Sequence, residues 1–303
     1  MQPEPFNVGT FTRSVLLHVA RESGAFRDVG LDVHESLVTS SPAQFKSLDQ
    51  GDFDLVFTSP DNVLAYHFLE KNPLAKKIPL RILSALDGGL GLSLNVGPGV
   101  TDVQEVRGRV VGVDVPQSGF AFVAYELLAR CGLGPGTYEL ESLGSTPTRT
   151  AALIEGSCAA TVLNAGNEIR ARGHGCTTVS AVGDLGPYVG TVIAAVPTNV
   201  ESTLDRRQRF CDVVLRTSSD ILAGHRTSEV VDAAMALLEL NEDQAREHYN
   251  CLTKSASGLV ANGVVTLDAI ETLVNLRRTY MPAPELDGIL ASMDEVLMGA
   301  AKG

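Results

Sequence analysis

Tryptophan is absent from this chain, and aromatic residues make up only 5% of its 303 positions. Stacking on sugars or bases is therefore a poor expectation for how it recognises anything. Basic charge is scarce as well: 24 Lys and Arg stand against 36 Asp and Glu, a formal net charge of -12. That balance argues against a nucleic-acid partner, since phosphate binding needs a dense basic surface. No stretch approaches the roughly 20 apolar residues of a membrane span. The start, Met1-Gln2-Pro3-Glu4-Pro5, has neither a basic nor an apolar leader region, so the expectation is a cytoplasmic protein, the alternative being an exported one whose signal has been removed. The five cysteines, Cys131, Cys158, Cys176, Cys211 and Cys251, are odd in number, scattered and without a C-x-x-C pair. Reduced, mostly buried thiols fit that usage better than a disulfide frame or a zinc site.

What the chain does have is one plan used twice. An apolar strand, Phe6 to Gly9, enters the polar loop Thr10-Phe11-Thr12-Arg13-Ser14 and a helical stretch ending at Ser23-Gly24. A strand at Leu31 to Val33, a helix around Ala43 to Leu48, and Gly51 to Phe57 running into Thr58-Ser59-Pro60-Asp61-Asn62 complete the unit. The order returns about a hundred residues later: Val110 to Val113, loop Pro116 to Gly119, helix Ala121 to Cys131, strand Tyr138 to Leu143, helix Thr150 to Ile154, strand Ala159 to Leu163 and loop Asn164 to Asn167. Two successive strand-helix-strand-helix-strand units predict two α/β lobes, each with a mostly parallel sheet. Open α/β sheets bind ligands at the carboxyl ends of their strands, so facing loops make a cleft.

The repeat breaks at Arg81 to Val96, whose Asp87-Gly88-Gly89-Leu90-Gly91 suits a change of direction, and again at Tyr188 to Val196. The first lobe is then expected to comprise residues 1–88 and 193–303, and the second 89–192, with a hinge at the two crossings. After the return the apolar spacing becomes helical: Leu204 to Leu222, Ser228 to Leu240, Glu242 to Leu252, Leu267 to Leu276 and Leu286 to Met298. Ser228 and Asn241 stand at capping positions, and Thr266 and Pro284 mark the last two starts.

Several segments resemble a known family. The run His18 to Phe26 followed by Val29-Gly30-Leu31-Asp32-Val33, then Gly51-Asp52-Phe53-Asp54, Val106 to Val113, and the late Gly258 to Val264 are similar to the periplasmic-binding-protein-like group. That group contains the aliphatic-sulfonate, nitrate and taurine binding proteins and the thiamine-pyrimidine synthase type. The resemblance covers about residues 6 to 280 and implies a two-lobed type II binding-protein fold that closes on a small molecule. It places the ligand loops at Thr10 to Ser14, Thr58 to Asn62, Asp87-Gly88, Pro116 to Gly119, Gly144 to Thr146 and Asn164. If the chain is exported, it also implies an ABC permease as partner.

Most of those positions follow from the residues alone, because they lie at strand ends or helix starts. Helix amino termini expose unpaired N–H groups and a positive dipole end, which favour an anion, and Ser14, Ser118 and Thr146 add hydroxyls. Thr10, Thr12, Thr58, Ser59, Asn62, Gln117 and Ser145 complete the expected polar lining. Arg13 either anchors an anionic head group or is solvated. Arg149 reads as a surface residue. Asp61 either caps a helix over Asn62 to Leu69 or receives a cationic group. Asp87 is a hinge turn or a ligand contact, and Asn164 a turn residue or an amide that reads a polar ligand. Phe11 and Tyr188 are candidate apolar walls. A small carboxylate, sulfonate or heterocycle suits such a cleft.

Catalytic signals are thin. The six histidines, His18, His34, His67, His174, His225 and His248, show no H-x-x-x-H or H-E-x-x-H spacing. His18 and His67 lie on helices after ligand loops and are the candidates to reach the cleft. Gly88-Gly89-Leu90-Gly91 does not open a helix, so no dinucleotide fingerprint is present, and neither cofactor nor metal is expected. The sulfinate-cleaving members of the resembled group carry a cysteine after the first strand, where this chain has Thr10-Phe11-Thr12. The synthases depend on a cysteine cluster that is missing here. A binding protein and a cytoplasmic lyase, hydrolase or decarboxylase of a small aromatic or heterocyclic acid therefore both stay open.

Overall fold

The computed structural model describes residues 2–302. The chain runs β1 (Glu4–Thr10), α1 (Val15–Glu22), α2 (Ala25–Asp28), β2 (Leu31–Leu37), α3 (Ser41–Gln50), β3 (Leu55–Thr58), α4 (Pro60–Phe68) and β4 (Arg81–Asp87). It crosses to β5 (Ser93–Val96), β6 (Val110–Val113), α5 (Gly119–Arg130), β7 (Glu139–Ser142), α6 (Thr146–Ile154), β8 (Ala160–Leu163), α7 (Asn167–Gly173) and β9 (Thr177–Ala181). It returns through β10 (Thr191–Ala195) to α8 (Glu201–Leu222), α9 (Thr227–Leu238), α10 (Glu242–Leu252) and α11 (Leu267–Tyr280).

Two five-stranded sheets result, ordered β2-β1-β3-β10-β4 and β7-β6-β8-β5-β9. In each, four strands run parallel and one runs antiparallel between two of them: β10 between β3 and β4, β5 between β8 and β9. The antiparallel strand always comes from a crossing, so each lobe is completed by chain arriving from the other. The strands at the centre read as unbroken apolar runs, Leu55–Thr58 and Ala160–Leu163 being buried at every residue, as sheets covered on both faces require. The first lobe's outer layer includes Phe6, Phe26 and Phe210, whose rings stack at 4.9 and 5.2 Å between centroids.

The return crossing enters the first sheet earlier than the sequence placed it. Thr191 pairs with Asp87 and Val192 with Ala85, so these two residues extend the first sheet rather than closing the second lobe. The crossings are packed together where a β-carbon on Gly190 would lie 2.3 Å from Asp87 Oδ1 and 2.6 Å from Gly89 Cα, a spacing only glycine tolerates.

The helical tail departs from expectation at its end. Leu286 to Met298 forms successive 3₁₀ turns, Pro284–Gly288 and Leu290–Glu295, instead of one helix. The backbone finds other partners: Ile82 N–H donates to Val296 O at 2.7 Å and Met298 N–H to Ile82 O at 2.9 Å. These bonds cover the free edge of β4. Ahead of this segment, α11 straddles both lobes. Its Arg277 reaches Asp61 of α4, while Tyr280 donates to Glu126 of α5 at 2.9 Å and stacks on Phe122.

Candidate functional site

Four helices start at the cavity between the sheets. Ser14, Ser59 and Ser118 cap α1, α4 and α5, each accepting from a first-turn amide at 3.2, 3.3 and 3.4 Å. The start of α6 is carried by Ser145 and Thr146. Each cap uses the side-chain oxygen as acceptor and leaves the hydroxyl proton free to donate. The cavity encloses about 130 Å³. Phe11, Leu16, Phe57, Leu86, Leu90, Phe120, Leu252 and Leu259 give it apolar walls.

Arg149 supplies the buried positive charge. It is 2% exposed and lies on the inner face of α6, where it donates to Gly144 O, to Thr146 Oγ1 at 3.1 Å and to Val162 O at 3.3 Å. Its Nε has no partner, and among the described residues no carboxylate forms an ion pair with it. Burial lowers its pKa to about 10, with the charge of Asp114 opposing. Arg13, by contrast, sits at the rim, with its side chain 47% exposed and 4.0 Å from Glu35. Glu35 accepts from Thr10 Oγ1 and Ser14 N–H, both at 2.8 Å, and so fixes the loop that carries Arg13; burial raises its pKa despite those bonds.

Two carboxylates and one imidazole complete the polar lining. Asp87 accepts from Gly89 N–H at 2.8 Å, and burial raises its pKa to about 6 against hydrogen bonds from Thr191 and Gly89. Asp114, at the end of β6, accepts from Ser41 N–H across the cleft at 3.2 Å. His248, 2% exposed on α10, has an unpartnered Nδ1, and burial lowers its pKa to about 4.

Of the residues singled out in the sequence, Thr10, Phe11, Thr12, Arg13, Ser14, Thr58, Ser59, Asn62, Asp87, Ser118, Thr146 and Asn164 line this cavity. Asp61, Gln117, Ser145 and Tyr188 do not. Asp61 neither caps its helix, a role taken by Ser59, nor faces a ligand: Arg277 donates to both its oxygens, at 2.9 and 2.6 Å, and both side chains are 2% exposed. Gln117 offers its backbone carbonyl to Arg277 at 3.1 Å. Ser145 bridges the lobes through its amide, which donates to Thr39 O at 2.9 Å. Tyr188 is packed in the core at the return crossing. His67 Nδ1 accepts from Leu80 N–H at 3.0 Å, and His18 contacts Arg21 in a surface groove between α1 and α9; neither reaches the cavity.

Arg149 corrects its surface reading, and Asp114 and His248 add to the lining. The arginine's position in the first turn of a helix that starts at a ligand loop was a usable signal. His248 gave none, because its placement depends on α10 docking on α7. Among the described residues no group of three or more His, Cys, Asp or Glu could hold a metal, and no helix is long and apolar enough to cross a membrane.

Two crossings between two α/β lobes, with strand ends and helix starts facing one cavity, define the type II periplasmic-binding-protein fold, and the solved structures agree. The periplasmic nitrate-binding protein NrtA from Synechocystis superposes with a TM-score of 0.76 at 13% identity, covering 98% of this chain and 87% of that one. The alkanesulfonate-binding protein SsuA from Xanthomonas axonopodis, bound to MOPS, gives 0.72 at 12% identity over 94% and 96%. A conserved Candida albicans gene product with the generic periplasmic binding protein fold gives 0.73 at 13% identity over 99% and 98%. No family profile and no curated protein sequence matches the chain. At such identities the likeness is one of fold.

Proposed function

We propose that this protein is a small-molecule binding protein of the ABC-importer substrate-binding type, closing by hinge motion on a small anionic ligand. The observation that carries this reading is Arg149: a buried guanidinium lining the cavity, with an unpartnered nitrogen and no carboxylate paired to it. A charge removed from water in this way is costly until a counter-charge arrives. Four helix starts at the same cavity favour the same sign of ligand. The solved neighbours bind nitrate or an alkanesulfonate by their names, which supports an anion and an extracytoplasmic setting with a permease partner over the cytoplasmic one. The enzyme reading has no comparable observation behind it, since its histidine candidates lie elsewhere.

The test is a melting-temperature screen of the purified chain against nitrate, small carboxylates and small sulfonates. One of these classes should raise the melting temperature, through linkage of ligand to the folded state. Arg149→Met should weaken that binding by roughly 1.5 to 3 kcal/mol, the scale of charge-assisted hydrogen bonds. No response to any anion, or full binding by Arg149→Met, would overturn the reading.

A further inference from the structure

We infer that the imidazole of His248 reads a ring nitrogen or ring hydroxyl on the ligand, so that the molecule taken is a small aromatic or heterocyclic acid carrying such a group beside its anion. The inference rests on the anion-binding reading of the cavity and adds a second point of recognition to it.

His248 is buried to 2% exposure and lines the cavity, yet its Nδ1 has no hydrogen-bond partner among the described residues. A neutral imidazole carries one donor and one acceptor, and leaving a buried ring nitrogen unmet costs free energy that folding alone does not recover. Leu252 and Leu259 line the cavity with it, and a β-carbon built on Gly166 would lie 2.7 Å from Leu238 Cδ1 and 3.2 Å from the imidazole Nδ1. No hydrogen bond joins it to Arg149, so a ligand that satisfies both is polar in two places.

The helix that carries the ring is anchored at both the cap and the neighbouring residue. Asn241 and Gln244 close a reciprocal cap on α10, at 3.0 and 2.9 Å. Glu247, one residue from His248, pairs with Arg172 of α7 in the other lobe. A fixed, unpartnered polar group at a ligand cavity is the usual means of selecting one heteroatom position, because an analogue lacking it leaves the group unpaired. The apolar walls, with Phe11, Phe57 and Phe120, suit a flat apolar body between the two polar points.

Calorimetric titration of the full chain would use the ortho, meta and para isomers of pyridinecarboxylate and hydroxybenzoate, with benzoate as the carbocyclic reference. At least one isomer should bind about tenfold or more tightly than benzoate, the affinity equivalent of one good hydrogen bond. His248→Leu should erase that gap while leaving the unliganded melting temperature unchanged or higher, since it removes an unsatisfied polar group. Arg149→Met should weaken all the acids alike. Equal binding of benzoate and every isomer by the parent, with Arg149 still required, would overturn this inference and leave the anion site standing. No binding of any of these acids would overturn this inference, and the anion reading would fall with it only if nitrate and the small sulfonates also left the melting temperature unchanged. A sharp fall in the unliganded melting temperature of His248→Leu would make the histidine structural and end the proposal.

Discussion

Arg149 donates hydrogen bonds only to carbonyl and hydroxyl oxygens, and this is why the proposed function rests on it. The sequence showed the loop and the helix start but not the burial, because Thr-Pro-Thr-Arg at a helix start looks the same on a surface as against β8. Polar residues that touch the cavity through local chain geometry, such as Ser14 and Thr146, were legible. Those placed by tertiary docking, such as His248, were not. Asp87 carries the residue-scale prediction. Burial raises its pKa from the usual 3.8 to about 6, so the native state keeps a proton that the unfolded chain has already released. The stability this contributes is complete below pH 3.8 and is lost as pH rises through about 6. Asp87→Asn undergoes no such loss. Its stability relative to the parent should therefore increase between about pH 4 and pH 7, by up to about 3 kcal/mol, the free-energy equivalent of the shift. Denaturant melts at the two ends of the range check it, and a difference that does not change with pH would mean a solvated carboxylate.

Among the elements, those closed by local capping were readable in advance. Asn241 stands at the start of α10 with its capping box, and Gly51 follows α3 in the left-handed region. The segment from Leu286 to Met298 has apolar residues at helical spacing yet forms 3₁₀ turns, and at its end Val296 and Met298 bond the edge strand β4 where a helix would have continued. Such pairing is a property of the sheet and leaves no trace in the segment. The start of α5 combines two roles that substitution can separate. Ser118 caps the helix and also lines the cavity. Ser118→Ala should cost about 1 kcal/mol of stability, the ordinary value of a lost cap. Ser118→Asp should retain the cap and the stability while placing a carboxylate beside the proposed anion, so that binding fails in a protein that melts normally. An aspartate variant that binds as the parent does would show that the anion does not approach α5.

At the level of the whole molecule, the duplicated plan was visible as a repeat, whereas the contacts that hold the lobes together were not, being single polar pairs far apart in sequence. Arg277 of α11 joins Asp61 in the first lobe to the Gln117 carbonyl in the second, and its guanidinium lies 4.7 Å from the Phe122 ring centroid. Nearer the ligand loops, Asn167 donates to Thr12 at 3.3 Å, and Ser41 N–H reaches Asp114. If the lobes open about the proposed hinge, these contacts break while each sheet stays whole. Ser41 allows that to be tested without altering a side chain in the cavity. It occupies the first position of α3, where proline is tolerated, and Ser40 before it is extended, as a residue preceding proline must be. Ser41→Pro would remove the amide that Asp114 accepts from and put a ring carbon in its place. Each lobe should keep its fold, and the closed arrangement should lose about 1 to 2 kcal/mol. If ligand binds only the closed arrangement, its apparent affinity then falls in proportion to the closed population, by at most about thirtyfold. Small-angle scattering should show a larger radius of gyration for the unliganded variant and a return toward the parent value on saturation. An unchanged radius together with unchanged affinity would show that closure does not depend on this contact.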